Sequence, residues 1–419
     1  MPPLIGIAAR SAWNRRASLS LTVLAIALSV LMLLGVERMR HAVRAGFEQS
    51  VSGADLIVGA RGSPLQLMLY AVFRMGEATH TMRWASVTAL AEHPAVAWVI
   101  PVSLGDSHRG FPVLGTTPAY FEHFRHGDRR ALKIAQGRPF EGVFDAVLGA
   151  EVAEALGYRP GSRITLAHGG GELAPEHADK PFTVVGVLSR TGTPVDRTVH
   201  ISLAGMEAIH LDWQGGAPLP GTSIPAEYVK KFDLTPKAVT AVILGLKSRA
   251  AVFAVQRHVN EFRAEPLMAV LPGVALSQLW QVMGHGERAL LAVSALVVVV
   301  GLAGLVAVVL ASLNERRREL AILRAVGARP HGILALLVIE SLGLTLVGAL
   351  LGFVLLSALS LAAGPLIEAR LGLAIPATLP TASEFALLVG VIAAGVLASL
   401  LPGWRAYRMS LADGLTPRT

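Results

Sequence analysis

The 419-residue chain has no cysteine, so neither a disulfide staple nor a thiolate metal site can hold it together. Lysine is scarce: six occur, and none follows a glycine. The phosphate-cradling loop G-x-x-x-x-G-K-[ST] is therefore absent from these residues. No G-x-S-x-G elbow and no H-E-x-x-H helix is present, which leaves an enzyme reading without a motif. Charge is thin at 16% and aromatics make up 6%, whereas 53% of residues are hydrophobic. With a mean hydropathy of +0.55, this is the composition of a membrane protein.

Four runs, 18–36, 289–313, 332–363 and 385–403, are apolar over the roughly 20 residues a span requires. The third continues to residue 367, interrupted only by Glu340. Dividing it would give five spans and put the arginine-bearing C-terminal tail opposite the other basic segments, so four are expected. Arg10, Arg15 and Arg16 precede the first span, Arg316, Arg317, Arg318, Arg324 and Arg329 follow the second, and Arg405, Arg408 and Arg418 follow the fourth; the loop 364–384 has Arg370 alone. Eleven arginines against one place both termini in the cytoplasm. Arg38, Arg40 and Arg44 dissent, just beyond the first span, but long domains translocate largely regardless of such charges. The first run is longer than a signal-peptide core and meets Glu37-Arg38-Met39-Arg40 instead of a small-residue cleavage site, so it is expected to stay as an anchor.

The net charge of +8 follows the same geography. Residues 40–285 hold 23 Lys+Arg against 21 Asp+Glu, a balance of +2, while 1–17, 314–331 and 404–419 contribute +3, +3 and +2. The excess is a topology signal, and no basic groove for nucleic acid is supported.

Between the first two spans lie about 250 residues of globular composition. Short β-branched runs bounded by glycine or proline fall at 96–105, 111–116, 146–150, 163–167, 182–189, 200–203 and 239–246. Helical patterns fall at 84–93, 149–156 and 248–263, and helical stretches at 39–51 and 276–285 run directly into spans one and two. The expected fold class is a membrane protein of four transmembrane α-helices with a large α+β extracytoplasmic domain inserted between spans one and two. Its segments are 1–17 (cytoplasmic helix), 18–36, 37–288 (outer domain with helical stalks), 289–313, 314–331 (cytoplasmic), 332–363, 364–384 (short outer loop), 385–403 and 404–419 (cytoplasmic tail).

Residues 314–330 read N-E-R-R-R-E-L-A-I-L-R-A-V-G-A-R-P. Leu320, Leu323 and Val326, with Ile322 beside them, give this basic segment an apolar side at helical spacing, so it can lie at the membrane surface and offer a face to a partner. A helix that only sets topology and holds lipid headgroups is the alternative. Glu340 sits about nine residues into span three, roughly 13 Å deep at 1.5 Å per residue, where an ionisable group is a functional candidate or a hydrogen-bonded structural one. Gly348-x-x-x-Gly352 and Ala307-x-x-x-Ala311 offer small faces for helix packing. Twelve of thirteen histidines lie in the outer region. His123-x-x-His126 is the densest pair and a weak metal candidate, with His108, His168, His177, His200 and His210 elsewhere; scattered surface histidines are the plainer expectation.

The run E-R-R-R-E-L-A-I-L-R-A-V-G-A-R (315–329), then I-E-S-L-G-L-T-L-V-G-A-L-L-G (339–352) and P-G-W-R-A-Y-R (402–408), resemble the C-terminal module of FtsX-like/MacB-like ABC transporter permeases. The N-terminal A-R-S-A-W-N-R-R-A-S-L-S-L-T-V-L-A-I-A-L-S-V resembles their first cytoplasmic helix and span. A-V-L-G-A-E-V-A-E-A-L-G (146–157), G-S-R-I-T-L (161–166) and F-T-V-V-G-V-L-S-R-T-G-T-P-V-D (182–196) look like their periplasmic core domain. The resemblance implies an inner-membrane permease that pairs with a second copy of itself and binds a cytoplasmic ABC ATPase, which holds ATP and Mg while this chain binds no cofactor. It further implies that closure of that ATPase is relayed to the outer domain, for export or extraction of a substrate from the periplasm or outer leaflet, with a periplasmic or outer-membrane partner possible. A non-transporting regulator of a cell-wall enzyme or sensor is the alternative, and metal-related transport through the outer histidines a minor one.

Coupling to the ATPase is expected from Glu315, Arg316, Arg317, Arg318, Glu319, Leu320, Ile322, Leu323, Arg324, Gly327 and Ala328. Their charges would pair with the partner's surface, their aliphatics would fill a groove, and Gly327-Ala328 would close the helix before Pro330. Trp404, Arg405 and Arg408 are secondary contacts, or an aromatic and cationic anchor at the interface.

The topology has a direct test, because no native cysteine competes for label. Cysteines at Ala178 and Gly372 are expected to react with an impermeant thiol reagent in intact spheroplasts, and those at Ala328 and Thr416 only after lysis. Labelling of Thr416 from outside would overturn the four-span arrangement.

Overall fold

The computed structural model describes residues 16–50, 52–76, 80–127, 129–169, 175–214, 217–218, 224–315, 329–371, 375 and 379–408. The chain divides into two compact units. One comprises Met1–Ala42, Gly284–Leu366 and Ile375–Thr419, and the other Val43–Met283 with Ile367–Ala374. Helix α1 (Arg16–Gln49) carries residues of both.

The second unit is built on one mixed sheet of eleven strands. They are β1 (Leu56–Ala60), β2 (Val96–His108), β3 (Phe111–Thr116), β4 (Ile134–Gly137), β5 (Asp145–Leu148), β6 (Arg163–Ile164), β7 (Ala167–His168), β8 (Phe182–Leu188), β9 (Val199–Ser202), β10 (Ala241–Leu246) and β11 (Leu267–Val270). The order is β11-β1-β10-β2-β3-β9-β5-β8-β4, with β7 on β2 and β6 on β8. Only the β3/β9 and β5/β8 pairs are parallel.

Period-2 alternation gives the sheet two buried faces. Ile57, Ile100, Val102, Ala241 and Ile243 enter one core, while Leu56, Val58, Val96, Val242 and Leu244 enter another. Helix α2 (Pro64–Ala71) contributes Leu67 and Met68 to the first; α3 (Trp84–Ala91) and α6 (Val252–Asn260) cover the second with Val87, Leu90, Val255 and Val259. A third core gathers Val113, Leu148, Val184, Val199 and Ile201 under α4 (Ala150–Leu156) and α5 (Leu203–His210).

Hydrocarbon offers a peptide group no hydrogen-bond partner, so a chain crossing it must satisfy its backbone internally, as a helix does. Besides α1, three long helices take up the apolar runs: α7 (Pro272–Glu315), α8 (Pro330–Leu371) and α9 (Ala382–Arg408). All four are long and apolar enough to cross a membrane. Ile26, Val30, Leu34, Leu305, Leu337 and Leu356 pack among them, while Leu21, Leu296, Val300, Leu350, Leu361 and Leu397 stay exposed, as lipid-facing side chains must.

A charge pair is buried among the described residues of this first unit. Arg38 on α1 donates from Nε to Glu384 Oε1 at 2.8 Å and from Nη2 to Oε2 at 3.2 Å, and from Nη1 to Ser360 Oγ of α8 at 3.3 Å. Both charged side chains are 5% exposed or less. Glu384 is also the third residue of α9, where its Oε2 accepts from Thr381 N at 3.1 Å while Glu384 N donates to Thr381 Oγ1 at 3.3 Å, a reciprocal capping box. Arg38, one of the three dissenting arginines of the sequence, is thus a tie between α1, α8 and α9.

Removing one partner of a buried pair leaves the other charge uncompensated, at a cost of about 3–5 kcal/mol. Arg38→Met is therefore expected to lower the thermal midpoint in detergent markedly. Combining it with Glu384→Gln, which keeps the capping geometry, should recover most of the loss. A single variant as stable as the native chain would remove this tie from the account.

Candidate functional site

Helix α7 ends at Glu315, the first of the expected coupling residues. Arg316, Arg317, Arg318, Glu319, Leu320, Ile322, Leu323, Arg324, Gly327 and Ala328 lie outside the described residues, and the chain resumes at Arg329 just before α8. On the last turns of α9, Trp404 and Arg405 are exposed and the Arg408 guanidinium lies 5.0 Å from the Trp404 ring centroid, a cation–π pair. This arrangement suits a docking contact and an interfacial anchor equally. Glu340 is half-buried on α8.

The small faces divide into two kinds. A Cβ on Gly352 would lie 2.5 Å from Ala27 O and 2.9 Å from Val30 Cβ, and one on Gly348 2.7 Å from Ile26 Cγ2, so α8 and α1 touch along this stripe. Gly301 meets Ser29 and Gly395 meets Thr345 in the same way, and Ser29 Oγ also bonds Val297 O at 3.2 Å. Ala307 and Ala311 of α7, in contrast, are exposed.

In the outer unit the histidines are not simply scattered over the surface. His123 stacks on Trp98, with centroids 5.3 Å apart and planes within 5°. His108 is held by Thr165 O at 2.6 Å and Tyr158 OH at 3.1 Å, and fully buried His200 lies 3.2 Å from Val147 O. Both are core residues. His168, His177 and His210, however, converge with Asp106, all four ligand atoms lying within 4.8 Å of one another.

The fold brings these four together through distinct devices. The antiparallel register of β2 and β7 sets Asp106 opposite His168, whose Nδ1 is 3.1 Å from Asp106 Oδ1. His177 is positioned by its own N–H, which donates to Leu166 O at 2.8 Å. His210 closes α5, and its Nε2 reaches within 3.0 Å of His168 Nδ1 and 3.5 Å of Asp106 Oδ1. A buried ion pair fastens the last two segments, for Lys180 Nζ donates to both oxygens of Asp212 at 2.7 and 2.8 Å. Burial alone would raise the Asp106 carboxyl, but hydrogen bonds from His168 and His210 outweigh it and bring it to about 2. Burial pushes His177 down to about 4 against the pull of Asp106, so its ring is neutral at physiological pH.

Among known families, residues 19–262 match the MacB-like periplasmic core domain and residues 291–411 the FtsX-like permease C-terminal domain. The chain belongs to the FtsX-like/MacB-like ABC transporter permease family. It is 27% identical over 347 residues to the macrolide export ATP-binding/permease protein MacB of Azoarcus sp. (strain BH72), covering 80% of this chain and 48% of that protein. The chain thus spans about half the length of that relative. Two solved structures are similar to about half of the chain. The periplasmic region of MacB from Actinobacillus actinomycetemcomitans has a TM-score of 0.34 and 12% identity, covering 55% of this chain and 94% of that one. The extracellular domain of the noncanonic ABC-type transporter YknZ from Gram-positive bacteria has a TM-score of 0.29 and 15% identity, covering 52% and 98%. The permease is a multi-pass membrane protein with four apolar helices and a periplasmic α+β core domain between the first and second.

The glycine stripe yields a matched pair of variants. Gly352→Leu would force α8 away from α1 and is expected to cost about 1–3 kcal/mol, the range for overpacking. Gly343→Leu, on the exposed side of α8 with open space around it, is expected to leave the thermal midpoint unchanged or slightly raised. Equal losses in both variants would argue against close α1/α8 packing.

Proposed function

We propose that this permease is driven by a separate cytoplasmic ABC ATPase, which carries ATP and Mg and docks on the segment from Glu315 to Ala328. ATP-driven closure is relayed along α1 and α7 to the periplasmic core domain for export or extraction of a substrate from the periplasm or outer leaflet. Two copies of the chain form the working particle in the inner membrane, with both termini in the cytoplasm. The observation that carries the reading is the pair of family matches, core domain and permease C-terminal domain, in the order the family requires. The helices support the relay, since α1 and α7 each contribute residues to both units without a break. Within the outer unit their extensions meet: the Phe47 and Trp280 rings are 5.6 Å apart edge to face, and Arg44 lies over Trp280 at 5.3 Å. A motion of either helix would be felt by the other. The lack of a Gly-Lys pair in these residues supports placing ATP on a partner.

The docking segment can be tested with two substitutions that touch no span. Leu323→Asp sets a charge into an apolar groove, where an unpaired buried charge costs on the order of several kcal/mol, and is expected to abolish copurification with the ATPase. Arg324→Ala is expected to weaken the complex by about 2–5 kcal/mol if its partner carboxylate is buried and by under about 1 at an exposed rim. Abundance in the membrane should stay normal in both. Undiminished copurification and ATP-dependent activity in Leu323→Asp would return the segment to a role in topology alone.

A further inference from the structure

We propose that Asp106, His168, His177 and His210 form a zinc site in the periplasmic core domain. This site is independent of the relay, and its assignment stands on its own geometry. It is the one group of three or more metal-ligating side chains at binding distance among the described residues.

The donor set fits zinc. Three imidazole nitrogens and a carboxylate oxygen make a four-coordinate shell of borderline ligands, whereas calcium and magnesium require mainly oxygen donors. Ligands held 2.0–2.1 Å from a tetrahedral zinc lie about 3.3 Å from one another. Here Asp106 Oδ1 is 3.1 Å from His168 Nδ1, 3.5 Å from His210 Nε2 and 4.0 Å from His177 Nε2, and no pair exceeds 4.8 Å. Side-chain adjustments of a few tenths of an ångström bring most of these distances to that value, and His177 is the ring with furthest to move.

A second observation points the same way. His177 is fully buried and the Asp106 side chain 1% exposed, yet neither ring nitrogen of His177 nor Oδ2 of Asp106 has a hydrogen-bond partner among the described residues. A buried polar atom left without a partner is destabilising, so each orphan calls for one. The 4.0 Å between His177 Nε2 and Asp106 Oδ1 is too long for a hydrogen bond and suits two ligands facing one ion.

The surroundings behave as the support of a metal site. His210 Nδ1 lies 2.8 Å from Met206 O, the carbonyl one turn back on α5. Donation there fixes the tautomer that turns the Nε2 lone pair toward the cluster. The Trp213 ring covers His177 with centroids 4.0 Å apart, and His168, 35% exposed, leaves a way in for the ion. Four protein ligands make a closed shell, the form of a structural site, so zinc would fasten β7, the His177 turn and the end of α5 to β2.

The test uses the full chain, purified in detergent on a tag without histidine and stripped by chelator. Titration with zinc is expected to show one ion per chain and to raise the thermal midpoint. Cobalt is expected to give the intense visible bands of a four-coordinate ion. His168→Ala, which opens no core, is expected to weaken zinc binding by on the order of 100-fold or more, with far-UV circular dichroism unchanged. His123→Gln combined with His126→Gln is expected to bind as the native chain does. A native chain that takes up no zinc at one equivalent, or a folded His168→Ala variant that binds as tightly as the native chain, would overturn the proposal.

Discussion

A polar group taken out of water must find a partner, and this constraint runs through both units. In the apolar runs it forces the backbone into helices and pushes arginine out to the flanks. Where a charge stays inside, at Arg38, it is met by a bidentate carboxylate and a serine that tie three helices together. In the core domain Lys180 is fully buried and takes both oxygens of Asp212. His177 and Asp106 are among the described side chains that fall short of the rule, and there a cation is the chemistry that completes them.

The same constraint shapes how the spans associate. Lipid is as apolar as leucine, so helices gain little by burying leucine against leucine and associate instead through close backbone approach and interhelical hydrogen bonds. Gly348 and Gly352 against α1, Gly301 against Ser29 and Gly395 against Thr345 provide the first, and Ser29 to Val297 O the second. Ala307 and Ala311 present the same small residues on an exposed face of α7. Bundle and core domain are covalently joined through α1 and α7, whose outer ends pack Phe47 and Arg44 on Trp280.

Much of the fold is legible in the residues. The four apolar runs became the four long helices, each extended by several residues because polar ends continue the same hydrogen-bond ladder. Phe111–Thr116 has the bounds its residues predict, whereas Leu56–Ala60 gives no strand signal: it has neighbours on both edges and both faces buried, so its L-I-V-G-A shows no alternation. Helix α5 was hidden beside β9, although Ser202 caps it by accepting from Gly205 N at 2.9 Å. Arg38 read as an exception to the charge rule because its partner stands 346 positions away. The metal cluster was beyond the sequence for the same reason. Its ligands come from a strand, a paired strand, a turn and a helix end, and only the β2/β7 register makes Asp106 and His168 neighbours. The close-spaced His123 and His126 drew attention by proximity, which is a poor guide to convergence when ligands are drawn from separate elements.

In the proposed relay, ATP closure of a partner reaches the periplasmic core domain through this chain. Spin labels on a single cysteine replacing the exposed Glu141 report the separation of the two core domains in one particle, with no native thiol to interfere. Pulsed electron resonance on the complex with its ATPase, reconstituted in lipid, is expected to show one distance distribution without nucleotide and a shifted one with ATP trapped by a hydrolysis-deficient ATPase. An identical distribution in both states, in a complex that hydrolyses ATP normally when the ATPase is intact, would rule out the proposed relay.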